Sequence, residues 1–119
     1  MNIEEYREYC ISKPGVTEGF PFDQKTLVFK VMDKMFALTD VDSFISINLK
    51  CDPEYAIELR ETYESIIAGY HMSKKHWNTC AVNNDLPDNK LFELIDHSYE
   101  LICKSLTKAK KEELKKLQD

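Results

Sequence analysis

The residues of this chain best suited to chemistry or recognition crowd into one stretch, Gly69-Tyr70-His71-Met72-Ser73-Lys74-Lys75-His76-Trp77-Asn78-Thr79. It holds the single tryptophan, two adjacent lysines, two histidines and several small hydrogen-bonding residues, with no acid. Lysine ammonium groups suit phosphates, while aromatic, amide and hydroxyl groups suit bases. Lys50, Lys74, Lys75, His76, Trp77 and Asn78 form a candidate nucleic-acid contact set, with Lys30 and Lys34 on a hairpin as additions. Its lysines would give a weak, salt-dependent affinity for DNA, and Trp77 and Asn78 would supply any base preference. A structural role fits the same letters: Trp77 anchoring a sheet to a long helix, with Lys74 and Lys75 in a solvated turn.

Other clusters carry less. Glu4, Glu5 and Glu8, with Glu18 and Asp23 nearby, are a candidate acidic surface for a basic protein partner or a hard cation. Acids at a helix N-terminus are also stabilising in their own right. His71, His76, Cys80 and His97 lack the short ligand pairs of zinc sites, so no metal is expected there. Asp96-His97-Ser98 has the letters of a hydrolase triad, but consecutive helical residues diverge by about 100° and cannot form a relay. No glycine-rich phosphate cradle or nucleophile elbow occurs, and there are three glycines in all. The sequence predicts no catalytic residues and no cofactor.

The scaffold around these residues is ordinary. A chain of 119 residues with 43% hydrophobic and 31% charged residues fits one globular domain. The net charge of −5 divides into −6 for residues 1–64 (7 basic, 13 acidic) and +1 for residues 65–119 (9 basic, 8 acidic). Bulk charge therefore opposes phosphate binding, and any basic patch must be local. The acidic start and the lack of a long apolar run predict a cytoplasmic protein with no membrane contact, and a monomer. Cys10, Cys51, Cys80 and Cys103 sit in apolar-periodic stretches without C-x-x-C spacing, which predicts reduced, mostly buried thiols.

Local patterns place the elements. Asn2 and Glu5 form a capping box for a first helix that ends at Pro14-Gly15. An edge strand over 17–22 is disfavoured from a central place by Pro21. Strands follow at 26–32 and 35–39, joined by a tight turn at Asp33-Lys34. Over 44–50, Ile45, Ile47 and Leu49 alternate with polar residues, which predicts a strand buried on one face. Asp52-Pro53-Glu54 opens a second helix. Strands at 66–72 and 77–82 flank the polar turn, and a long helix runs from about Pro87 to Ser105. Residues 107–119 are a Lys/Glu-rich helical extension or frayed tail beyond a domain of 1–106. The sum is an α+β fold, an antiparallel sheet against helices in the order α-β-β-β(-β)-α-β-β-α.

These blocks also resemble a known family. Lys13-Pro14-Gly15-Val16, Pro21-Phe22, Phe29-Lys30-Val31 and Lys34-Met35-Phe36-Ala37-Leu38 resemble the start of the MmcQ/YjbR-like family. Leu49-Lys50-Cys51-Asp52-Pro53, Gly69-Tyr70-His71-Met72, Lys75-His76-Trp77-Asn78-Thr79 and Asp96-His97-Ser98-Tyr99 extend the likeness to about residue 106. The resemblance implies a CyaY-like (frataxin-like) or double-wing α+β domain of a kind commonly labelled DNA-binding, with no catalytic residues to carry across. A frataxin-like shape equally admits a protein-interaction or metal-handling module working through the acidic first helix. Ala68 departs from the family, which often has proline before Gly69-Tyr70.

Overall fold

A computed structural model describes residues 1–70 and 72–118. Helix α1 (Ile3–Ile11) carries the complete Asn2–Glu5 capping box and buries Tyr6 and Cys10. Four strands follow: β1 (Val16–Gly19), β2 (Thr26–Val31), β3 (Lys34–Asp40) and β4 (Ser46–Lys50). Then come α2 (Pro53–Thr62), capped by the Asp52 carboxylate, β5 (Ile66–Ala68), β6 (Trp77–Ala81), α3 (Asp88–Ser105) and α4 (Lys108–Gln118). The six strands form one sheet in the order β1-β2-β3-β4-β6-β5, every neighbouring pair antiparallel.

Strand alternation divides the sheet into two unlike faces. Leu27, Phe29, Val31, Ala37, Ile47, Leu49, Ile66 and Cys80 join one core with Tyr6, Ala56, Leu59, Leu91 and Ile95 from the helices. Burying side chains of this size contributes about 1.5–3 kcal/mol each, which makes this face the seat of stability. Edge-on ring contacts reinforce it, Tyr6 with Phe29 and Phe36 with Tyr99, both at 5.5 Å between centroids. The opposite face presents Val28, Lys30, Leu38, Asn48, Lys50, Trp77 and Thr79; among the described residues no helix lies on it, and loops bury Val28, Leu38, Trp77 and Thr79.

A bulge in β3 fixes how α3 sits. Phe29 pairs with Ala37 and Lys30 with Met35, so Phe36 is an extra residue on its strand. Phe36 turns its ring into the core beside Ala37, and its carbonyl is left outside the ladder with β4, which pairs only 37–39 with 47–49. The Ser98 hydroxyl of α3 donates to that carbonyl (2.5 Å) and accepts from the Lys50 N–H (3.0 Å). One small side chain thus replaces a missing rung between two strands.

Several sequence expectations change in the folded chain. Ile45 is 69% exposed because β4 begins only at Ser46; Phe44, at φ 41°, breaks the alternation before it. The strand expected over 66–72 stops at Ala68, and its expected residue His71 lies outside the described residues. Gly69 explains the stop: a Cβ there would stand 2.8 Å from Trp77 Cβ and 3.2 Å from Met72 Cβ, so the chain folds tightly over β6. The expected strand 17–22 is shortened to Val16–Gly19. Of the two forms expected for the tail, it takes the helical one: α4 docks with Leu114 buried over Gly15, whose φ of 74° and lack of a side chain admit it. All four cysteines are free, three buried and Cys103 half-buried. Among the described residues no helix is long and apolar enough to cross a membrane.

Candidate nucleic-acid interface

The helix-free face places the predicted lysines by strand direction. In the sheet order β2 and β4 run parallel to each other, so Lys30 and Lys50 lie at the same end, on the same face, flanking β3. Two strand spacings separate them, about 10 Å. Lys50 pairs across the ladder with Trp77, and the Cys51 N–H donates to the His76 carbonyl at 2.8 Å. That register carries the turn Ser73–His76 to the same end of the sheet. Trp77 N–H closes the turn on the Ser73 carbonyl (2.9 Å), leaving Lys74, Lys75 and His76 exposed. Lys30, Lys50, Lys74, Lys75 and His76 therefore share one corner of the molecule.

Arg60, absent from the sequence-derived set, holds that corner together. From α2 its Nε donates to Asn78 Oδ1 (2.7 Å) and its Nη2 to the Lys74 carbonyl (2.5 Å). A guanidinium reaches two partners at once through its planar fork, which a lysine could not do. The sequence did not single out Arg60; a basic residue in the last turn of a helix, where it stands, commonly means dipole compensation alone. Three acids lie in or beside this corner: Glu18 and Asp33 line a pocket with Lys30, Glu18 being paired with Arg7, and Asp52 follows Lys50 by two residues. Asp52 accepts the Tyr55 N–H (3.1 Å), and Asp33 leans toward Lys110 (3.9 Å).

Three of the sequence-derived residues do not reach this surface. Asn78 is 2% exposed and points to the helix side, where its Oδ1 serves Arg60 and its Nδ2 has no partner. Trp77 is buried on the other face beside Gly69, and so it neither offers a stacking platform nor anchors the sheet to α3. Lys34 sits at the hairpin on the helix side, its ammonium 3.3 Å from the Ser105 carbonyl.

The residues set aside as catalytic letters are dispersed by the structure. Asp96 accepts from the Tyr9 hydroxyl (2.7 Å) and pairs with Lys13, Ser98 bridges β3 and β4, and His97 turns to α2. Burial pushes the thiols of Cys10 and Cys80 up to about 12 and that of Cys51 to about 11, so none is a ready nucleophile at neutral pH. The acidic cluster is likewise occupied in part: Glu5 completes the capping box of α1, and Glu18 of β1 is paired with Arg7. Glu4 and Glu8 are exposed beside them. Among the described residues no three His, Cys, Asp or Glu side chains converge to hold a metal ion.

His97 gives this region a pH response. Its Nε2 accepts the Asp52 N–H (3.2 Å), and its ring meets Tyr55 edge-on at 5.2 Å. Desolvation lowers its pKa below the usual 6.5, outweighing the pull of Asp52 and Glu100 in the other direction. The unfolded chain then binds the proton more readily. The stabilisation is intact above about pH 6.5 and is lost as pH falls through the lower folded value. The urea midpoint is expected to drop between about pH 7 and pH 5.5, and His97→Gln to shrink that drop. An unchanged pH response in the variant would show that other groups cause it.

The fold defines a class: an α+β domain whose six-stranded antiparallel sheet is covered by helices on one face and, among the described residues, carries none on the other. A family model described as YjbR matches residues 11–101, and the chain belongs to the YjbR family. It is 33% identical over 118 residues to the uncharacterised protein YjbR of Escherichia coli K12, covering 98% of this chain and 100% of that one. It is also 33% identical over 75 residues to the uncharacterised protein YyaQ of Bacillus subtilis, 63% of each chain. Among solved structures it resembles Deinococcus radiodurans protein DR2400, a DUF419 domain, at TM-score 0.89 and 42% identity, covering 95% of this chain and 87% of that one. A crystal structure of a Pseudomonas syringae protein aligns at TM-score 0.72 and 29% identity, covering 85% of this chain and 98% of that one.

Proposed function

We propose that this chain is a small nucleic-acid-binding, regulatory module that contacts DNA phosphates through the basic end of its open sheet face. The observation supporting it is the convergence of Lys30, Lys50, Lys74 and Lys75 on one corner in a chain whose net charge is −5. An evenly scattered set of lysines would be cancelled by the surrounding acids; a clustered one produces a local positive field. With Trp77 and Asn78 buried, the contacts are to the backbone, so the affinity is modest and largely indifferent to sequence.

The test is fluorescence anisotropy with a labelled duplex and a labelled single strand across a salt series. The unaltered chain is expected to bind at low salt, with a log–log salt slope of about −3 to −4 for duplex DNA. Lys50→Glu/Lys74→Glu/Lys75→Glu should abolish binding, whereas Lys34→Glu, on the other face, should leave it unchanged. No binding at low salt, or a triple variant that keeps the slope, overturns the proposal.

A further inference from the structure

The other end of the same face is built differently. Between the 20–25 loop and the segment around Tyr70 lies a cleft of about 440 Å³ over the starts of β2 and β4 and the end of β3. Its walls are Phe22 (64% exposed), Tyr70 (65% exposed) and Met72, and its floor includes Leu38, which is almost fully buried. The floor is braced: Thr79 Oγ1 donates to Asn48 Oδ1 and accepts the Tyr70 N–H, which ties the wall segment to the sheet.

The charged groups lining this cleft are all acidic among the described residues: Asp23 and Asp40. Asp23 accepts from the Lys25 and Thr26 N–H groups (2.8 and 2.6 Å), and these bonds hold its pKa below the ordinary carboxylate value. Asp40 uses Oδ1 to accept from Asp42 N–H and Ser43 N–H, and its Oδ2 carries no hydrogen bond among the described residues. Lys25 does not line the cleft; its ammonium stands 3.9 Å from Asp42, and its charge adds a small further pull on Asp23. A pocket with aromatic walls, an apolar floor and two carboxylates selects by charge as well as by shape; Asp23 Oδ2 also accepts from the Thr26 hydroxyl (3.1 Å), while Asp40, also lining the cleft, has its Oδ2 without such a bond among the described residues. Aromatic faces attract cations through the ring quadrupole, and carboxylates add a direct Coulomb attraction. The volume falls within the roughly 300–1,000 Å³ of small-molecule sites.

We propose that this cleft binds a small organic cation, an ammonium or amidinium group carried on an aromatic or alkyl body. The apolar body lies against Leu38 and Met72, and the cationic group lies near Asp23 and Asp40 with Phe22 and Tyr70 beside it. This goes beyond the phosphate contacts at the opposite end and does not depend on them.

The probe is benzyltrimethylammonium, followed by backbone amide chemical shifts in the intact chain, with benzyl alcohol as the neutral analogue. Shifts confined to residues 22–26, 38–40, 46–48, 70 and 72, with a dissociation constant of about 1 mM or tighter, are expected. Benzyl alcohol should bind at least about five-fold more weakly, and added salt should weaken only the ammonium. Asp23→Asn/Asp40→Asn keeps acceptor oxygens for the local N–H groups and should weaken the ammonium about five-fold or more. The salt comparison on the unaltered chain decides the matter even if that variant folds poorly. Equal binding of the two probes, shifts elsewhere, or no shifts at about 10 mM overturn the proposal. So does an arginine-rich peptide that fills the cleft when benzyltrimethylammonium does not. The triple lysine variant should retain the ammonium site, so this result and the DNA result fail or succeed separately.

Discussion

Arg60→Met is expected to destabilise the chain by about 3 kcal/mol, roughly 10 °C in Tm for a domain of this size, and to weaken DNA binding with it. The guanidinium makes charge-assisted bonds to the buried Asn78 Oδ1 and the Lys74 carbonyl, each of a kind worth about 1.5–3 kcal/mol. Methionine keeps the aliphatic stem and deletes both. Asn78, whose Nδ2 already lacks a partner, would then hold its whole amide unsatisfied at 2% exposure. Asn78→Leu added to Arg60→Met should recover part of the loss, because replacing both partners by apolar groups removes the unmet polar burial. A single-variant loss below about 1 kcal/mol, or a double variant as unstable as the two losses summed, would show that the clamp is not what holds this corner. The 73–76 turn, freed from α2, should show faster amide exchange at His76 and Trp77, and the altered placement of Lys74 and Lys75 should lower affinity without changing net charge in their vicinity beyond the one removed.

Ser98→Ala carries the second large effect, about 2–3 kcal/mol. The hydroxyl is 0% exposed and is bonded to the Phe36 carbonyl and the Lys50 N–H. Alanine fits the space, so packing loss is small; the cost is two buried backbone groups without partners. Because both belong to the point where β3 and β4 part, the loss should be local before it is global. The Lys50 amide should lose protection by a larger factor than the Ile47 or Leu49 amides, measured by native-state hydrogen exchange. Uniform loss across β4, or a stability change below about 0.5 kcal/mol, would count against the bridging role.

Both predictions turn on residues the sequence marked for another reason or not at all. Ser98 was legible only as part of a false triad and of a family block, and nothing in the sequence singled out Arg60. Neither residue carries a sign of its partner: Phe36 is 62 positions from Ser98 and Asn78 is 18 from Arg60. The bulge that leaves the Phe36 carbonyl open arises from β2–β3 register, which no local pattern specifies.

What the sequence determined by itself was the set of local elements and the fold class. Asn2 with Glu5 and Asp52 with Pro53 start two helices as expected, because a cap is chemistry within four residues. Ile47 and Leu49 face the core as their period-two spacing requires. It also gave the family, since that likeness is carried by residue blocks along most of the chain. The tertiary structure alone decided which of those residues meet. Period two says that Trp77 and Asn78 point to opposite faces, but burial of both required Gly69 and its neighbours in space over one and Arg60 over the other. Lys30 and Lys50 became neighbours through the parallel relation of β2 and β4 across β3, while Lys34, four positions from Lys30, went to the far face. The acidic cleft was invisible for the same reason: Phe22, Asp40 and Tyr70 are distant in sequence, and they meet because strand order brings the first two together and the chain after β5 turns back over β6, held by the Tyr70 N–H to Thr79. Local interactions are fixed by neighbouring residues, whereas a surface is assembled from strand order and register, which are set by the whole core at once.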